Sequence, residues 1–207
     1  GLALTLALGM SCNRVEGTLA PASPPAPAEA DLAPELWRVG ARSIDITPPI
    51  GYGMAGHSLE GRNSLGVWTR LRAHAIAIED ASGVPAILIA TDLWATPAAL
   101  VDRVAERLQT EHGLTALGRA QLVMGATHTH HGPGHFSTAV GYAQHAGPSP
   151  GFDPILFEWL AERLATAAAE AHAQRRPATL SLHSAAVPTL ARNRSLAPFL
   201  ANPEARA

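Results

Sequence analysis

PAILIATDLWATPAALVDRVAERLQTEHG, residues 85–113, decides the fold class. Pro85–Thr91 is a continuous apolar run of strand length that stops at Asp92, the pattern of a strand covered on both faces. Thr96-Pro97 then reads as a helix N-cap followed by proline at the first helical position. Leu100, Val101, Val104 and Leu108 recur at helical spacing as far as Gly113. A strand that leads directly into an amphipathic helix is half of a βαβ unit.

The flanking sequence repeats the alternation. Trp37–Ile46 (WRVGARSIDI) reads as a strand halted by Pro48-Pro49, and Leu71–Ile78 (LRAHAIAI) as a second, followed by a turn over Glu79–Gly83. Downstream, Arg119–Ala126 (RAQLVMGA) reads as a strand feeding a His- and Gly-rich turn. A second helix is expected from Pro154 to Gln174, with Phe157, Leu160, Leu164, Ala168 and Ala171 on its apolar stripe, and a last strand over Ala178–Val187. The expectation is an α/β fold, a mixed sheet with flanking helices, beginning at Trp37.

Residues 1–36 have a different texture. Gly1–Cys12 (GLALTLALGMSC) has the length of the apolar segment of an export signal and is too short to span a bilayer. Ala20–Ala30 (APASPPAPAEA) is a Pro/Ala linker. The two together imply an exported protein: secreted, periplasmic, or anchored to the cell envelope by lipid on Cys12. A core helix is the competing reading of the first twelve residues, and Gly9 stands where a lipidation motif normally has leucine.

The chain has 207 residues, 47% hydrophobic and 15% charged, with a formal net charge of −2. It can bury a sizeable core, and it lacks the basic stripe of a nucleic-acid binder, so no nucleic-acid partner is expected. Cys12 is the single cysteine. An intrachain disulfide and a multi-cysteine zinc site are therefore excluded, and a metal would have to be held by His and carboxylate.

The densest chemistry lies in Thr127–Phe136 (THTHHGPGHF), where His128, His130, His131 and His135 fall within nine residues. In an extended segment His128 and His130 point the same way, about 7 Å apart at Cα, and His131 points to the other face. Gly132, Pro133 and Gly134 turn the chain just afterwards. The arrangement suits a zinc ion with one or two imidazole ligands at the exit of a strand, where catalytic groups collect in α/β sheets. A polar, solvent-facing loop is the alternative. His57, His74, His112, His145, His172 and His183 fall in no ligand spacing and read as surface or core residues. No HExxH helix or P-loop is present.

Ala126–Gly134 (ATHTHHGPG) resembles the HTHSGPGG signature of the neutral/alkaline ceramidases. Val39–Pro48 (VGARSIDITP), Gly53–Ser58 (GMAGHS), Thr69–Ala75 (TRLRAHA) and Asn193–Pro203 (NRSLAPFLANP) are similar, in order, to further family segments, so the resemblance covers residues 37–207. It implies a zinc-dependent hydrolase that cleaves the amide of an N-acyl sphingoid base (ceramide), with a membrane surface as the source of substrate. Carried over by position, His128 is the zinc ligand, His130 a catalytic neighbour, and Arg194 an active-site arginine for polar groups of substrate or product. Two departures stand out: His131 replaces a serine and His135 a glycine. The family's remaining zinc ligands, a histidine, a glutamate and a tyrosine, lie downstream of the Asn-Arg-Ser segment. Residues 37–207 are thus expected to be the N-terminal portion of a larger catalytic domain, inactive without the rest. The alternatives are a related exported metal-dependent hydrolase of another amide or ester, or, were the chain complete, a non-catalytic binding module.

Overall fold

The computed structural model describes residues 37–83, 85–181 and 194–206. The chain divides into two compact units, and the described parts of these are 37–181 and 194–206. The first contains strands β1 (Trp37–Asp45), β2 (Arg72–Glu79), β3 (Pro85–Thr91), β4 (Leu122–Ala126) and β5 (Arg176–Ala178). Its helices are α1 (Ala98–Thr110), α2 (Val140–His145) and α3 (Pro154–Ala173). The second holds α4 (Leu196–Leu200) and a 3-10 turn over Pro203–Arg206. None of the described helices is long and apolar enough to cross a membrane.

The five strands form one mixed sheet in the order β4-β3-β2-β1-β5. β1 pairs antiparallel with β2 and β5, β2 antiparallel with β3, and β3 parallel with β4 through the α1 crossover. The carboxyl ends of β3 and β4 therefore emerge side by side, which is where ligands collect in such sheets.

The core lies between one face of the sheet and the helices. Ala73, Ala75 and Ala77 of β2 and Ile87 and Ile89 of β3 are buried beneath Leu160, Leu164 and Ala168 of α3 and Leu100, Val104 and Leu108 of α1. Small residues on β2 let the long helix lie close. At Gly40 a Cβ would stand 2.1 Å from the Ala171 carbonyl oxygen, so β1 and the end of α3 meet backbone to backbone. Asp153 caps α3, its Oδ1 accepting from the Ile155 and Leu156 amides at 2.9 and 3.0 Å, with Pro154 at the first position. Glu158 of α3 accepts from Arg103 and Arg107 of α1, and those guanidinium groups, Arg107 foremost, hold its carboxyl below the usual range.

Several boundaries differ from the sequence reading. Pro85–Thr91 is covered on one face only: Ala86, Leu88 and Ala90 are exposed, because α1 and α3 both pack on the opposite side. The run is apolar from Pro85 to Ala90, so its period could not distinguish the two cases. Helix α1 begins at Ala98 with Pro97 as its N-cap, while the Thr96 hydroxyl donates instead to the Met124 carbonyl of β4 at 3.3 Å. A 3-10 turn takes up Arg119–Gln121 and delays β4 to Leu122. The last strand of the first unit ends at Ala178, where Ala178–Val187 was expected to start, and 182–187 lie outside the described residues.

His172, half-buried near the end of α3, has its pKa lowered, chiefly by burial and then by Arg175, against an opposing pull from Glu79. The unfolded chain thus binds a proton that the folded chain resists. This contribution to stability is full above the ordinary histidine range and falls as pH drops through about 6.5. Thermal melts are expected to show a lower midpoint at pH 5.5 than at pH 7.5. His172→Gln should flatten that difference, and an unchanged slope would remove His172 as its source.

Candidate metal centre at the carboxyl ends of β3 and β4

The Thr127 amide continues the β3–β4 pairing by donating to the Thr91 carbonyl at 2.9 Å, and its hydroxyl donates to Asp92 at 3.3 Å. The chain then departs from a strand. His128 has φ +61, in the left-handed region that histidine tolerates better than most side chains. The expected extended segment is therefore absent, yet His128 and His130 do meet, with ring centroids 4.9 Å apart. The left-handed step brings the two imidazoles together.

The hydrogen bonds settle the His128 tautomer. Its Nδ1 stands 2.6 Å from the Trp94 carbonyl oxygen just beyond β3, and a carbonyl only accepts, so Nδ1 carries a hydrogen and, in the neutral ring, Nε2 holds the lone pair. That lone pair faces Nε2 of His130 at 3.4 Å. The separation is long for an N–H···N bond. It is close to the about 3.3 Å between two nitrogens that share a tetrahedral zinc at ~2.05 Å each. The donor set fits a zinc ion, although among the described residues no three His, Cys, Asp or Glu side chains converge on a point. The pair offers up to two imidazoles to such a site.

The Gly53–Gly56 segment buttresses them. The Ala55 amide donates to the Gly132 carbonyl at 3.0 Å and the Gly134 amide to Gly53 at 2.8 Å, clamping the turn after the histidines. Gly56 has φ +87, and a Cβ there would lie 2.6 Å from three ring atoms of His130. The His130 ring rests directly on bare backbone. His57, passed over in the sequence because it stands in no ligand spacing, reaches the same place. Its ring meets that of His130 edge-on at 5.2 Å and lies 6.4 Å from that of His131. Its position beside the glycines of GMAGHS was the available signal.

The other predicted residues divide. His131 lies beyond the His128–His130 pair and lines a groove of about 660 Å³. His135 is turned away, its Nε2 bonded to the Ser149 carbonyl at 2.8 Å. Arg194 is exposed and belongs to the second unit, of which 194–206 is the described part, so the first unit's geometry says nothing of its role. Gly51–Gly56 (GYGMAG) and Gly147–Gly151 (GPSPG) carry the letters of a dinucleotide fingerprint and a nucleophile elbow. The first leads into bends and a 3-10 turn and the second lies in the loop before α3, so neither has the strand–turn–helix context its chemistry requires.

Beside His128 a second, mostly apolar pocket of about 500 Å³ opens between Trp94, Pro97, Ala139 and Tyr142. Trp94 thus has two parts in the site: its carbonyl orients His128 and its indole walls the pocket.

The family model for neutral/alkaline non-lysosomal ceramidase, N-terminal, matches residues 37–207. The neutral ceramidase of Pseudomonas aeruginosa is 32% identical over 180 residues, 86% of this chain and 26% of that protein. The neutral ceramidase of Mycobacterium tuberculosis is 30% identical over 174 residues, 82% of this chain and 27% of that one. Among solved structures, a ceramidase complexed with C2 superposes with a TM-score of 0.73 at 31% identity, over 82% of this chain and 26% of that one. The chain therefore spans about a quarter of the length of the relatives it matches. With the histidine pair at the strand ends, these likenesses establish that the chain belongs to the neutral/alkaline non-lysosomal ceramidase family, of which it matches the N-terminal portion.

Proposed function

We propose that residues 37–207 form part of a zinc-dependent amidase that cleaves N-acyl sphingoid bases into fatty acid and free amine. The observation that carries the reading is the paired Nε2 atoms of His128 and His130, one of them fixed as a lone pair by the Trp94 carbonyl. His128 would hold the ion. His130 stands where it can carry a proton toward the leaving amine. Zinc bound there supplies Lewis acidity toward the amide carbonyl and toward water. Arg194 would provide fixed donors to the developing oxyanion or the carboxylate product. The remaining ligands, which the family resemblance implies are His, Glu and Tyr, would come from the part of the relatives' length that this chain does not span. Export completes the proposal; it rests on Gly1–Cys12 and Ala20–Ala30, which lie outside the described residues.

A panel of matched lipids tests the substrate class in a protein of the relatives' full length that contains residues 37–207. N-acyl sphingosine is expected to be hydrolysed to equal amounts of fatty acid and sphingosine, well ahead of the corresponding esters. Preferential cleavage of esters, or of amides without a sphingoid base, would replace the ceramide reading with that of a related hydrolase.

Gly56 supplies a second expectation. Gly56→Ala would push against the His130 ring and lower amide hydrolysis by roughly tenfold or more while leaving most of the zinc bound, in the range seen when a group supporting a site residue is changed. Hydrolysis measured beside zinc content checks it. An unaltered rate would show that His130 keeps its place without the bare backbone.

A further inference from the structure

Two of the contacts around the His130 ring leave its plane unfixed. Gly56 offers only bare backbone, which limits how near the ring can come but has no side chain to grip it. His128 faces it through the two Nε2 atoms at 3.4 Å, too long for a firm hydrogen bond. The third contact has a definite orientation. The His57 ring stands edge-on to that of His130, centroids 5.2 Å apart and planes at 87°. Aromatic rings favour this arrangement because the edge of a ring is positive and its face negative.

His57 is itself firmly seated. The Met54 amide donates to the Arg62 carbonyl at 3.0 Å, the Ala55 amide to Gly132 at 3.0 Å and the Gly56 amide to Ala146 at 2.8 Å, so its segment is tied on both sides. A turn closed by the Gly61 amide on the Ser58 carbonyl at 3.0 Å follows directly. The His57 ring also lies 6.4 Å from that of His131 at 75°, and no hydrogen bond joins it to either neighbour. Its hold on His130 is therefore one of ring shape, which the ring nitrogens do not supply. We propose that His57 is a positioning residue, whose ring fixes the plane of His130 and so keeps Nε2 of His130 directed at Nε2 of His128. The inference rests on the reading above that His130 carries a proton in amide hydrolysis.

Three variants of the full-length protein test it. His57→Ala removes the ring, His57→Phe keeps a ring without nitrogens, and His57→Gln keeps a hydrogen-bonding group without a ring. Crystal structures are expected to show the His130 ring turned, or spread over two rotamers, in His57→Ala and back in place in His57→Phe, with His128 unmoved in both. In hydrolysis of N-acyl sphingosine, kcat should fall roughly three- to tenfold in the Ala and Gln variants, with KM and zinc content unchanged, and recover in the Phe variant. A His130 ring that keeps its place in His57→Ala would overturn the proposal. So would recovery by Gln in place of Phe, which would give His57 a hydrogen-bonding part, or a loss carried by KM alone, which would make it a residue of the substrate groove. A displaced ring with an unchanged rate would uphold His57 as the support and remove His130 from proton transfer, so the two readings fail separately.

Discussion

Replacing His128 with asparagine is expected to lower zinc affinity sharply and amide hydrolysis by roughly 10³-fold or more, the several kcal/mol that a metal's charge contributes at the reacting carbonyl. Asparagine is the informative substitution. His128 sits at φ +61, where alanine would add backbone strain and confuse loss of function with loss of fold, whereas asparagine tolerates that conformation. It removes the lone pair that the Trp94 carbonyl holds in place. His130→Ala should behave differently, keeping more of the zinc while losing roughly a hundredfold in rate, as expected of a group that moves a proton. Metal content by plasma emission, measured beside hydrolysis in both variants of the full-length protein, separates the two roles. Zinc retained in full by His128→Asn would remove His128 from the ligand set.

Gly40→Ala should be the most destabilising single methyl group in the first unit. Its Cβ would lie 2.1 Å from the Ala171 carbonyl oxygen, 2.8 Å from the Arg175 nitrogen and 2.9 Å from the Gln174 carbonyl carbon. All three are backbone atoms at the end of α3, a helix held by the buried Leu160, Leu164 and Ala168, so neither partner can yield cheaply. The cost is expected to be about 3 kcal/mol or more, the upper range for overpacking a core. For a chain of this size that is a fall of roughly 6–12 °C in Tm. Gly125→Ala, where nothing lies within 4 Å of the added atom, is the matched control and should change the melt little. Equal midpoints for the two variants would mean that β1 and α3 can separate without penalty.

What could be read from the sequence follows from where periodicity is strong. Phe157, Leu160, Leu164, Ala168 and Ala171 mark the buried stripe of α3, and all five are buried in the structure. Val101, Val104 and Leu108 do the same for α1. Pro85–Thr91 shows the limit, since six apolar residues in a row carry no period and cannot report that one face is bare. The start of α1 was misplaced because the hydroxyl of Thr96 is drawn across to β4, a tertiary contact that local capping rules do not contain. At the site, residue type and spacing pointed to His128 and His130, but not to how they meet. Their meeting depends on one left-handed residue and on Gly56, which is remote in sequence from the histidines it supports. His57 was missed for the same reason: the fold, and no local spacing, brings its ring to His130.

Ceramide hydrolysis measured before and after stripping the metal from the full-length protein tests the central claim most directly. Activity is expected to vanish on chelation and to return in proportion to zinc added, reaching its limit at one equivalent per chain. Undiminished hydrolysis by metal-free protein would contradict the account, because the paired imidazoles at the ends of β3 and β4 would then be serving some chemistry other than holding an ion.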